Sequence, residues 1–128
     1  MTREEYNVLT KEIIDASIEV HKVLGPGLLE QAYKVALLRE LSIRGIKAEK
    51  EQDIPFFYKG ETLSSAYRAD IIVEGEVIIE LKATEKDNSL YPKQLNSYLK
   101  LANKKVGLLI NFNRERLIDG LTRVVNNF

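Results

Sequence analysis

A chain of 128 residues with 45% hydrophobic content can bury a core of its own and reads as one globular domain over residues 1–128. Nineteen basic residues balance nineteen acidic ones, so the chain lacks the basic excess usual in generic nucleic-acid binders. It has no cysteine and one histidine, which excludes disulfides, thiolate metal sites and zinc held by several imidazoles. An intrinsic metal would be a hard, oxygen-bound ion such as Mg2+ or Mn2+.

The N-terminus, MTREEYNVLTKEIID, is charged and lacks an apolar signal core, and no segment is long and apolar enough to span a membrane. A cytoplasmic protein with no membrane partner is the expectation. Thr10 is placed to cap a first helix whose apolar positions are Ile13, Ile14, Ile18, Val20 and Leu24, with Leu9 stapling onto Ile14. Gly25-Pro26-Gly27 stops that helix. A second helix is expected from about Leu28 to Arg44, burying Leu29, Ala32, Tyr33, Ala36, Leu37 and Leu41 and ending at Gly45. Strands follow at 48–52, 54–58, 65–73 and 77–83. Pro92 suits the first turn of a third helix running to about Ala102. VGLLINF, Val106 to Phe112, is a buried strand, parallel to its neighbour because a helix bridges the two. Leu121 to Val125 reads as a final edge strand. The order of elements predicts an α/β or α+β fold, a mixed sheet with helices on both sides.

Within it, YRADIIVEGEVIIELKA, Tyr67 to Ala83, carries charge where core residues belong. Asp70 interrupts one apolar strand, and Glu80 and Lys82 interrupt the next at i and i+2, hence on one face. Acidic side chains are seldom buried unless paired or binding something. An acid followed by Glu-x-Lys on the next strand is the minimal kit for a magnesium site that hydrolyses phosphodiesters. Loop length decides whether the kit assembles. A two-residue turn at Glu74-Gly75 would pair Asp70 with Ile79 and separate the carboxylates. An odd loop, such as Val73-Glu74-Gly75 with Gly75 left-handed, puts Arg68, Asp70, Glu80 and Lys82 on one face. Ala69, Ile71, Val77, Ile79, Leu81 and Ala83 then share the other. That sorting favours the odd loop. The bland alternative, a salt-bridged patch on a solvated strand face, fits poorly with apolar runs as continuous as Ile71–Val73 and Val77–Ile79.

Other residues are weaker signals. Glu30 falls in the first turn of a helix, where the dipole favours any carboxylate, and it can pair with Lys34 at i+4. Gln94 alone is an ordinary exposed helix residue. His21 lies on an apolar stripe and reads first as a core histidine bonded to backbone near the Gly25-Pro26-Gly27 turn; a supporting role behind Glu30 is the second reading. Tyr33 and Tyr98 read as core aromatics with hydroxyls reaching polar surroundings. Lys86 to Lys105 holds five lysines against Asp87, a basic stretch directly after the Glu-x-Lys strand.

Gly27-Leu28-Leu29-Glu30-Gln31-Ala32-Tyr33, together with EVHKVLGPGLLEQAY, YRADIIV, IIELKA, QLNSYL and GLLINF in that order, resembles the GxxExxY protein family of the PD-(D/E)XK nuclease superfamily over about residues 10–125. The resemblance implies a restriction-endonuclease-like fold and Mg2+-dependent hydrolysis of nucleic acid, DNA or RNA, with Mn2+ as a substitute ion. It implies metal ligation by Asp70 and Glu80 with the Leu81 carbonyl, and completion of the shell by Glu30. Lys82 resembles the lysine that orients the attacking water and stabilises developing charge, and Gln94 the helix glutamine that reaches the site. His21, Tyr33 and Tyr98 would support these groups from behind. So short a domain has no spare element for base readout, so low sequence specificity or a targeting protein partner is expected, and a homodimer suits cutting of both strands of a duplex. The alternative is a non-catalytic nucleic-acid-binding or regulatory module, or a homo-oligomeric scaffold, that keeps the nuclease fold.

Overall fold

The computed structural model describes residues 1–128. Helix α1 spans Arg3–Leu24 and begins earlier than expected, because Thr2 and not Thr10 is its cap. The Glu5 N–H donates to the Thr2 hydroxyl (3.1 Å) and the Thr2 N–H to the Glu5 carboxylate (2.9 Å). This reciprocal pair satisfies donors that the helix cannot satisfy itself. Thr10 is buried within the helix and donates its hydroxyl to the Asn7 carbonyl (3.1 Å), an outlet that removes any need for a capping role. Leu9 is therefore a core residue inside the helix, not a staple ahead of it. The buried stripe runs Tyr6, Leu9, Ile13, Ala16, Val20 and His21, while Ile18 and Leu24 are exposed.

Gly25 ends α1 at φ +71, its N–H donating to the His21 carbonyl (2.7 Å). Helix α2, Glu30–Ile43, buries Tyr33, Lys34, Leu37 and Leu41. Leu29 and Ala32, expected inside, face solvent, since only one narrow stripe of this helix meets the sheet. Beyond its end, Gly45 is left-handed, and the Gly45 and Ile46 N–H groups donate to the Ser42 and Leu41 carbonyls.

The strands are β1 Ala48–Asp53, β2 Phe56–Tyr58, β3 Glu61–Leu63, β4 Arg68–Val73 and β5 Val77–Lys82. Helix α3, Leu90–Ala102, then leads to β6, Val106–Asn111, and a short 3-10 turn leads to β7, Leu121–Val125. Five strands form one sheet in the order β1-β4-β5-β6-β7. Every pairing is antiparallel except β5 with β6, the pair that α3 bridges. The arrangement is the mixed α+β, restriction-endonuclease-like one that was expected. The strand expected at 54–58 is instead half of a separate hairpin with β3, a strand that was not expected. Its turn residues Lys59 and Gly60 both have positive φ, as a tight two-residue turn requires. No helix is long and apolar enough to cross a membrane.

The sheet separates two apolar clusters. Ile71, Val73, Val77, Ile79, Leu81, Val106, Leu108 and Ile110 pack with α1 and α2 through Ile13, Tyr33, Leu37 and Leu41. On the other face Ile78 and Leu109 pack with Leu95 and Leu99 of α3 and with Ile54. Ala69, expected with the first set, joins the second.

Candidate active site

Register decides the site. β4 and β5 pair as Val73 with Val77, Ile72 with Ile78 and Ile71 with Ile79, around a three-residue loop, Glu74-Gly75-Glu76. The loop is odd, as the apolar sorting required, though one residue further on than Val73–Gly75. Glu74 and Gly75 are left-handed, at φ +53 and +68.

One step further along this register, Asp70 lies opposite Glu80, and here the ladder is broken by the side chains themselves. The Asp70 N–H donates to Glu80 Oε1 (3.2 Å), and the Leu81 N–H donates to Asp70 Oδ2 (2.8 Å). Each carboxylate thus takes the backbone donor that the opposing strand leaves open, which a half-buried N–H requires. Lys82 follows on the Glu80 face, its ammonium 4.3 Å from the centre of the Tyr91 ring in the first turn of α3. A cavity of about 310 Å3 opens beside it, lined among others by Tyr91, Asn111 and Thr122. A larger hollow, about 660 Å3, is elsewhere, at the start of α1, and contains none of these residues.

Electrostatics mark the same spot. Burial, and then the negative charge of Asp70, push the Glu80 carboxyl up to about 8, and nearby Lys82 only partly opposes this. Glu30, the first residue of α2, is also raised, first by burial and then by Asp70, with Lys82 and Lys34 opposing. Tyr98 of α3 is raised by burial and by Glu80, Tyr67 and Asp70 in turn. Glu30, Asp70, Glu80 and Tyr98 therefore share one electrostatic neighbourhood, reached by α2 from one face of the sheet and by α3 from the other. Leu81 sits at the gap with its side chain in the core and its N–H on Asp70.

The remaining expected residues are placed differently. Gln94 is exposed on α3, one turn before Tyr98. His21 is buried and bonded to backbone as expected, with Nε2 2.7 Å from the Arg114 carbonyl; Arg114 lines one hollow with Pro26 of the Gly25-Pro26-Gly27 turn. The Tyr33 hydroxyl holds that turn, donating to the Gly25 carbonyl (2.6 Å) and accepting from the Leu28 N–H (3.1 Å). Its ring stacks on Phe112 at 4.5 Å.

One neighbour of Asp70 and one of Lys82 went unnoticed in the sequence. Lys34 of α2 is buried and places its ammonium 3.5 Å from Asp70 Oδ1 and 3.4 Å from Glu51 Oε1 of β1. The signal was present: Lys34 falls at i−3 from Leu37 and i−7 from Leu41, on the buried stripe, where a charge needs a partner. Tyr91, the platform under Lys82, carried no such signal.

No three His, Cys, Asp or Glu side chains converge closely enough to hold a metal by themselves. The donor set at the gap is two carboxylates, with Glu80 raised by burial and by Asp70. That set fits Mg2+, which takes one or two protein carboxylates and keeps several waters.

A family profile described as PD-(D/E)XK nuclease superfamily matches residues 7–124. The crystal structure of SSO0001 is similar at a TM-score of 0.56 and 20% identity, over 98% of this chain and 62% of that one. At that identity the likeness speaks for fold alone, and the chain spans about three fifths of that protein's solved length. No functionally curated protein matches the chain.

Proposed function

Because the chain belongs to the PD-(D/E)XK nuclease superfamily, whose nucleases are generally divalent-metal dependent, we propose that it is a Mg2+-dependent phosphodiesterase acting on nucleic acid, from the GxxExxY branch. The observation that carries this reading is the Asp70–Glu80 pair at the parting of β4 and β5, with Lys82 on the same face.

Asp70 and Glu80 would hold the ion, with the Leu81 carbonyl and Glu30 at its margin. The ion supplies Lewis-acid polarisation of a phosphate and a more acidic water. Lys82, free of any carboxylate partner within salt-bridge distance, presents a point charge to the oxygens that gain negative charge, an effect worth a few kcal/mol where water is excluded. Tyr98 borders the carboxylates from α3, and Gln94 one turn earlier would meet substrate rather than the ion. Tyr33 holds the turn from which Glu30 enters, and His21 steadies the core behind it. The exposed lysines Lys86, Lys93 and Lys100 offer phosphate contacts for DNA or RNA. A cytoplasmic setting, a homodimer and a targeting partner remain part of the reading.

The test is calorimetric titration of Mn2+ into the wild type and Glu80→Gln, followed by cleavage assays on DNA and RNA. Binding that disappears with Glu80→Gln and turnover that requires Mn2+ or Mg2+ are expected. Equal binding by both proteins would overturn the site.

A further inference from the structure

The gap between β4 and β5 has a counterpart between β1 and β4. Lys50 pairs with Ile71 and Gln52 with Ala69, so the unpaired Glu51 falls beside Asp70. On the other side the β4–β5 register ends at Ile71 with Ile79, and its continuation brings Asp70 beside Glu80, whose carboxylate takes the Asp70 N–H. Three acids on three adjacent strands therefore form one row across the sheet, with Asp70 in the middle. Glu51 adopts φ +52, rare for a residue with a Cβ in the middle of a strand. Two metal ions at a phosphoryl-transfer site stand about 3.5–4 Å apart. A central carboxylate flanked by two others on neighbouring strands, where facing Cα atoms stand about 4.5–5.5 Å apart, is the arrangement from which such a pair of ions could be held.

One of the two gaps is filled. The Lys34 ammonium lies between Glu51 and Asp70, 3.4 Å from one and 3.5 Å from the other, on a side chain only 10% exposed. Asp70 consequently has Oδ1 turned to Lys34 and Oδ2 engaged by the Leu81 N–H. No such cation stands between Asp70 and Glu80; the nearest candidate, Lys82, is turned onto Tyr91.

We propose that Lys34 is a fixed internal cation standing where a second divalent ion would otherwise bind, so that the site loads one metal ion per chain between Asp70 and Glu80. This rests on the metal-dependent reading above. Lys34 is thereby a positioning residue: it touches no reacting atom, holds Asp70 from the α2 side, and restricts metal loading to the β4–β5 gap.

The proposal is tested by counting the Mn2+ ions bound by the wild type, Lys34→Met and Lys34→Arg, by calorimetry at saturation. Each count is taken as the difference from the same protein carrying Asp70→Asn, because the exposed glutamates at the start of α1 can collect ions of their own. One Asp70-dependent ion is expected in the wild type and in Lys34→Arg, which keeps the charge, and two in Lys34→Met. Two ions in the wild type or in Lys34→Arg, or only one in folded Lys34→Met, would overturn the proposal while leaving the nuclease reading intact. No Asp70-dependent ion in the wild type would overturn both. The wild-type and Lys34→Arg counts stand without Lys34→Met, so the proposal stays exposed to refutation should that variant fail to fold.

Discussion

The Lys82 ammonium rests 4.3 Å from the centre of the Tyr91 ring, so the charge proposed to serve the reaction is held by α3 and not by either carboxylate. That separation makes its removal cleanly interpretable. Lys82→Ala is expected to lower turnover by about 100-fold or more, the usual cost of one electrostatic stabiliser, with Mn2+ affinity changed little. Single-turnover cleavage alongside metal titration checks both halves. Turnover that survived would remove Lys82 from the chemistry.

Tyr91→Leu probes the platform. A cation on an aromatic face contributes about 0.5–1 kcal/mol at an exposed site, so a loss of about two- to fivefold in turnover is expected, without loss of metal. An effect as large as that of Lys82→Ala would mean that Tyr91 does more than hold the ammonium.

Glu80 gives the metal-free protein a pH dependence whose sign is fixed by its environment. The carboxyl is raised from its ordinary 4.5 to about 8 by burial and by Asp70. Through that window the folded state keeps a proton that the unfolded state releases, so stability is greatest at the acid end and falls as pH rises toward 8. The melting temperature of the wild type should therefore decline from pH 5 to pH 8 relative to that of Glu80→Gln, whose amide has no proton to lose. Parallel curves for the two proteins would show Glu80 ionised throughout.

Tyr33→Phe removes the one hydroxyl that ties the Gly25-Pro26-Gly27 turn, leaving the Gly25 carbonyl and Leu28 N–H to find other partners, while the stack on Phe112 remains. A cost of about 1–3 kcal/mol in urea unfolding is expected. A change near zero would mean that water replaces the hydroxyl.

Gly120 precedes β7, and the Asn111 backbone carbonyl occupies the place that a Cβ there would need. Backbone yields less readily than the end of a side chain, so Gly120→Ala should cost about 1–3 kcal/mol or more. Chemical denaturation of the two proteins measures it.

Much of this architecture could be read along the chain because it depends on local patterns. The alternation of apolar and charged residues on either side of Gly75 required an odd loop, and the loop found is odd, displaced by one residue. The parallel pairing of β6 followed from the helix before it. What escaped was decided by distant partners. Lys34 has a sequence neighbour of opposite charge in Glu30, yet its ammonium goes to Glu51 and Asp70, which only the closing of the sheet brings near. Thr10 resembles a cap until Thr2 and Glu5 satisfy each other further upstream. Leu29 and Ala32 have the spacing of a buried face, but the side of α2 that meets the sheet is turned away from them. At three residues, β3 is too short for its alternation to show.

The crossed hydrogen bonds between Asp70 and the β5 strand carry a lesson for reading relatives of this chain. Each acid secures a backbone donor of the opposing strand, so a lineage that had abandoned hydrolysis would still lose folding stability by discarding either one. The persistence of both carboxylates is thus ambiguous testimony, explained by architecture as readily as by chemistry. The Lys82 side chain makes no backbone hydrogen bond; its ammonium rests on an aromatic face. Where it survives among descendants while its surroundings drift, the reaction itself is the reason to keep it.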